Sequence, residues 1–73
     1  MKFKELEVGD VYTYQHGFRG EFVKISPRSV VAMSQVKKGR GWRQPEEANA
    51  LVVRHRWIAL LAYEHCYKYP SAR

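Results

Sequence analysis

Apolar residues fall in short alternating runs separated by glycine and proline. Val11-Tyr12-Thr13-Tyr14 is β-branched and aromatic, a composition that suits a pleated surface, and predicts a strand. Gln15 to Gly20 holds two glycines and reads as a hairpin loop; Phe22-Val23-Lys24-Ile25 is the returning strand. Ser26-Pro27-Arg28 reads as a turn, because proline brings no N–H to a ladder and restricts the residue before it. Ser29 to Val36 is expected to be a third strand, with Val31 and Met33 on one face and Val30 and Ala32 on the other.

Lys37 to Pro45 is the most polar stretch and is expected to be a flexible, exposed basic loop. Pro45-Glu46-Glu47-Ala48 suits the first turn of a short helix, where proline fits and carboxylates favour the dipole. Leu51, Val53, His55 and Trp57 alternate with Arg54 and Arg56, a strand period that would put both arginines on one face. From Trp57 to Cys66 the spacing of Trp57, Leu60, Leu61 and Glu64 becomes helical. Residues 69–73 have little to pack and are expected to fray. The whole reads as α+β and β-rich: a small antiparallel barrel-like sheet with one short helix.

At 73 residues the chain is one domain with a small core. Leu6, Val8, Val11, Tyr12, Phe22, Val23, Ile25, Val31, Met33, Val53, Trp57, Ile58 and Leu61 are the candidates to fill it. Cys66 is the single cysteine, so an internal disulfide and a multi-cysteine zinc site are both excluded. Met1 to Glu7 alternates charge and does not resemble a signal peptide, and the longest apolar stretch, Trp57 to Tyr63, is too short to span a bilayer. A cytoplasmic monomer is the expectation. The net charge of +6 is uneven: residues 1–10 carry −1, residues 11–45 carry +6, and residues 46–73 carry +1. A field of one sign favours encounter with an anionic partner.

No catalytic constellation emerges. Ser26, Ser29, Ser34 and Cys66 lack the flanking residues of an activated nucleophile. Gly39 and Gly41 do not form a phosphate-loop frame, and Glu46 and Glu47 sit in a polar stretch that keeps carboxylates ionised. His16, His55, His65 and Cys66 have no zinc-ligand spacing. No enzyme activity, cofactor or metal is expected. The binding candidates are clearer. Lys37, Lys38, Arg40 and Arg43 flank Trp42; cations neutralise phosphates and an indole stacks on an unpaired base, so this mixture suits single-stranded nucleic acid. Arg54 and Arg56 would extend that stripe. The competing reading is a solvated loop with Trp42 folded onto the core. Tyr12, Tyr14, Phe18 and Phe22 surround the first hairpin; Tyr12 and Phe22 suit a core, whereas Phe18 and Arg19 sit at its tip and suit a protein interface.

Phe3-x-Glu5-Leu6-x-Val8-Gly9-Asp10-Val11-Tyr12, followed by Phe22-Val23-Lys24-Ile25-Ser26, resembles the opening of small barrel-like domains carried by phages and mobile elements. With its length and basic charge, the chain is similar to the small phage-encoded RNA polymerase-binding transcription regulators of the lytic Xanthomonas phage type. That resemblance implies a non-enzymatic protein that docks on the N-terminal region of the polymerase β′ subunit, inhibits initiation and promotes antitermination. It assigns no functional residue. The alternative is a stand-alone nucleic-acid-binding small β-barrel.

Overall fold

A computed structural model of the chain describes residues 1–17, 19–37 and 43–58. A single 3-10 turn, Phe3–Glu5, is followed by strands β1 (Asp10–Tyr14), β2 (Phe22–Ser26) and β3 (Ser29–Ala32), helix α1 (Met33–Lys37), strand β4 (Gln44–Pro45) and strand β5 (Val52–Trp57). The five strands form one antiparallel sheet in the order β4-β3-β2-β1-β5. The sheet is open, with β4 and β5 at its edges, so the expected barrel is corrected to an open sheet.

The alternation read from the sequence places side chains on two faces, and both are buried. Val11 pairs with Val23 and Val23 with Val31, which aligns three valines in one row. Met33, Ile25 and Ile58 join them. On the other face Tyr12, Val30 and Val52 meet Phe3 and Leu6, with Tyr14, Phe22 and Ala50 packed against them. Val8, Val53 and Trp57, expected in the core, are instead 44%, 44% and 60% exposed.

Three local expectations are corrected. The third strand stops at Ala32, and Met33 starts a five-residue helix instead. Met33 still packs beside Val31, since a turn begun at that point leaves its side chain on the same cluster. Of the basic loop expected over 37–45, Lys37 instead closes α1 and Gln44–Pro45 pairs with Ser29 and Val30, while residues 38–42 lie outside the described residues. No helix opens at Pro45. The Glu46 N–H donates to Arg28 O at 3.0 Å, which holds the segment against the β2–β3 turn, and only a single turn over Ala48–Asn49 follows, closed by the Ala50 N–H on Glu47 O. Of the helix expected from Trp57 to Cys66, Trp57 instead ends β5 and Ile58 follows outside any element; residues 59–66 and the tail at 69–73 lie outside the described residues.

The N-terminal arm, Met1–Leu6, is fastened to the sheet by backbone and by one buried cation. Phe3 N–H donates to Ala50 O at 2.8 Å, Lys4 N–H to Ala48 O at 2.9 Å, and Val52 N–H to Met1 O at 2.8 Å. Lys24 is 4% exposed. Its ammonium donates to Phe3 O at 3.1 Å and Leu6 O at 2.7 Å, and lies 4.6 Å from the centre of the Phe3 ring. A buried charge is tolerated when its donors are spent. Here one bond satisfies Leu6 O, just past the 3-10 turn, and the other is shared with the Leu6 N–H on Phe3 O. Burial lowers the Lys24 pKa, and the nearby Asp10 carboxylate works against that shift.

Candidate functional site

The exposed chemistry of the described residues concentrates on β5. Only Val52 of its six residues is buried; Val53, Arg54, His55, Arg56 and Trp57 face solvent. The strand is irregular. Arg54 lies opposite Tyr12, Arg56 opposite Val11, and the register shifts between them. His55 is therefore the extra residue of a bulge, and a bulge inverts the facing of everything beyond it. Arg54 and Arg56 consequently project to opposite faces, not to one as strict alternation predicts.

The two arginines meet different partners. Arg56 is bidentate to Glu21 at 2.9 and 3.2 Å, so its fork is engaged. Arg54 approaches Asp10 at 3.8 Å with its side chain 53% exposed. That separation exceeds a hydrogen bond. Asp10 is 2% exposed and its Oδ2 accepts the Glu7 N–H at 2.8 Å. His55 Nε2 and Thr13 Oγ1 are joined at 2.8 Å across the bulge.

Trp57 is held in place by the Val8-Gly9-Asp10 turn. Its indole N–H donates to Val8 O at 3.1 Å, and the next residue, Ile58, donates its N–H to Gly9 O at 2.9 Å. Gly9 has φ +103°, and a Cβ there would stand 2.6 Å from Trp57 Nε1 and 2.9 Å from Ile58 O. Only glycine permits both that backbone and that approach. The result is an oriented indole, 60% exposed, beside the exposed Val8 and on the same side of the sheet as Arg54.

Inside the sheet, Tyr12 and Tyr14 hydroxyls are 3.2 Å apart, and Tyr14 donates to Glu46. Burial and then the Glu46 hydrogen bond push the Tyr14 phenol up to about 12; burial chiefly raises Tyr12 still further. Both remain neutral phenols at physiological pH and serve as struts. No group of three His, Cys, Asp or Glu side chains among the described residues is placed to hold a metal, and no described helix is long and apolar enough to cross a membrane.

The expected binding residues are dispersed. Arg19 is exposed in the first hairpin loop; Phe18 lies outside the described residues. Lys38, Arg40 and Trp42 lie outside them too, as does the Lys37 side chain. Arg43 is exposed just before β4, at the sheet edge opposite β5. Three strands lie between β4 and β5 in the sheet order, so Arg43 does not share a strand with Arg54 and Arg56. Trp57, Val8 and Gly9 were not expected at a site. Their signal was the glycine of the Val8-Gly9-Asp10 turn, whose missing Cβ leaves the space the indole fills. Comparison of the chain with protein-family models, curated proteins and solved structures finds no match.

Proposed function

We propose that this protein is a non-enzymatic docking regulator that binds bacterial RNA polymerase in the cytoplasm through the outer surface of β5. The observation that carries the docking role is the exposure of five of the six β5 residues, with Trp57 fixed and open among them. Tryptophan and arginine dominate interface hot spots, and an indole already held in its orientation loses little entropy on binding. The choice of polymerase, its β′ N-terminal region, and the outcomes of inhibited initiation and antitermination rest on the sequence resemblance of the first hairpin. Arg19 at the hairpin tip and the Phe18 beside it extend the interface in this reading. The basic segment from Lys37 to Arg43, with Lys38, Arg40 and Trp42 inside it, holds RNA near the transcription complex.

The test is a binding titration of purified protein against RNA polymerase, and separately against labelled RNA and DNA, over a salt series. The expected result is saturable polymerase binding that changes little with salt, since an apolar contact dominates it. Nucleic-acid binding alone, falling with a log–log salt slope near −2.8 for about four neutralised phosphates of a single strand, overturns the docking reading in favour of a stand-alone nucleic-acid-binding sheet.

A further inference from the structure

We infer that the Gly9 turn, Trp57 and Arg54 form an anchor subsite for an extended acidic protein segment, taking an apolar side chain on the indole and a carboxylate on the guanidinium. This rests on the docking role proposed above and names the chemistry of what docks. The polar atom of Trp57 is already spent, because its N–H donates to Val8 O. What Trp57 and Val8 offer a partner is apolar surface. Arg54 is the complement. At 3.8 Å from Asp10 it makes an ion pair without a hydrogen bond, and half of its side chain is open. A guanidinium has five N–H donors in a fork that fits a carboxylate. Asp10 cannot turn outward to meet them, since it is buried and accepts the Glu7 N–H. Arg56, bidentate to Glu21, has no such spare capacity.

The register places the two groups together. Trp57 lies opposite Asp10, and Asp10 is the carboxylate Arg54 approaches. One unspent cation beside one apolar plate matches a side-chain pair on a peptide. A polyphosphate backbone fits less well, because it carries a charge at every unit and meets a single part-open guanidinium beside apolar surface here.

The test follows the Trp57 indole N–H resonance of the full chain by NMR. Three probes are titrated: a blocked octapeptide alternating leucine and glutamate, the same peptide with lysine for glutamate, and an eight-nucleotide oligothymidylate. The acidic peptide is expected to shift the resonance saturably, and the lysine peptide not to. Arg54→Ala should weaken the acidic peptide roughly fivefold, the effect of one part-exposed ion pair, and Arg56→Ala less than about twofold. Equal response to both peptides, response to the oligonucleotide alone, or no response to the acidic peptide overturns the inference. The same variants are then titrated against RNA polymerase. Trp57→Ala should weaken binding at least about thirtyfold, and Trp57→Phe, which keeps the apolar plate, much less. Polymerase binding by the wild type that both Trp57→Ala and Arg54→Ala leave unchanged overturns the anchor while the docking role stands. Peptide binding with the expected charge preference but no polymerase binding supports the anchor and removes the polymerase as partner.

Discussion

Replacing Lys24 with methionine separates the two roles of a buried cation. The substitution keeps an unbranched apolar stem of similar reach and removes the ammonium. Each hydrogen bond from a charged donor contributes about 1.5–3 kcal/mol, and the contact with the Phe3 ring about 2 kcal/mol when desolvated. Stripping water from the ammonium costs several kcal/mol in return, so these contributions roughly cancel. What remains is the carbonyl left behind. Phe3 O keeps the Leu6 N–H at 3.0 Å, but Lys24 is the one donor to Leu6 O among the described residues. An orphaned buried carbonyl costs about 1–3 kcal/mol. At about 4–8 °C per kcal/mol for a domain of this size, Lys24→Met should melt roughly 5–20 °C below wild type. The loss should be visible locally as faster hydrogen exchange at Phe3, Lys4 and Val52, whose amides tie the arm to the sheet. The pH dependence checks the charge. Because the folded pKa of Lys24 is lowered from 10.5, the folded state releases this proton before the unfolded chain does. Its contribution to stability therefore rises with pH across the window between the lowered pKa and 10.5, and the methionine variant lacks that rise. Melting within about 2 °C of wild type, with arm exchange unchanged, would refute the reasoning by showing that Leu6 O reaches water.

Gly9→Ala should destabilise by about 2–4 kcal/mol and move the Trp57 indole resonance, because it adds a clash to a positive φ. Gly17→Ala, where φ is +90° and nothing lies within 4 Å, should cost only the backbone strain of about 1–2 kcal/mol. Equal effects in paired denaturant melts would count against the close packing of Trp57. Tyr14, raised from 10.0 to about 12, holds its proton in the folded state after the unfolded chain has lost it. Stability from this group is full below pH 10.0 and is lost as pH rises through about 12, so Tyr14→Phe should flatten the fall in melting temperature over that range. A Tyr14 ring-carbon titration centred at 10.0 would contradict it.

The central strands were legible because β-branched and aromatic residues alternate there between glycine-rich turns. β1, β2 and the body of β5 fall where that pattern places them. Two-residue β4 carries no such signal: it contains Pro45 and exists through pairing with Ser29 and Val30. The hydrophobic pattern named Val8 and Trp57 as core yet passed over Lys24 and Asp10, which are buried. Burial of those two depends on partners remote in sequence, such as the Phe3 carbonyl that Lys24 reaches across 21 positions. The bulge at His55 was equally hidden, since an extra residue changes no composition while reversing the side on which Arg56 and Trp57 emerge.

The pairing of the arm with residues 48–52 has a consequence for how the chain comes to be folded during synthesis. β1, β2 and β3 are sequential neighbours and can assemble once Ala32 has emerged from the ribosome. The arm and the outer edge of β1 must wait for the segment from Ala48 to Trp57. At roughly 5–20 residues per second, the interval from Phe3 to Ala50 is about 2–10 s. Through that interval Phe3 and Leu6 lack their final cover, and one edge of the nascent meander stands open to other chains. Non-local closure of this kind also slows folding. Misassembly during production should therefore respond to changes in residues 48–57 that leave the first hairpin untouched.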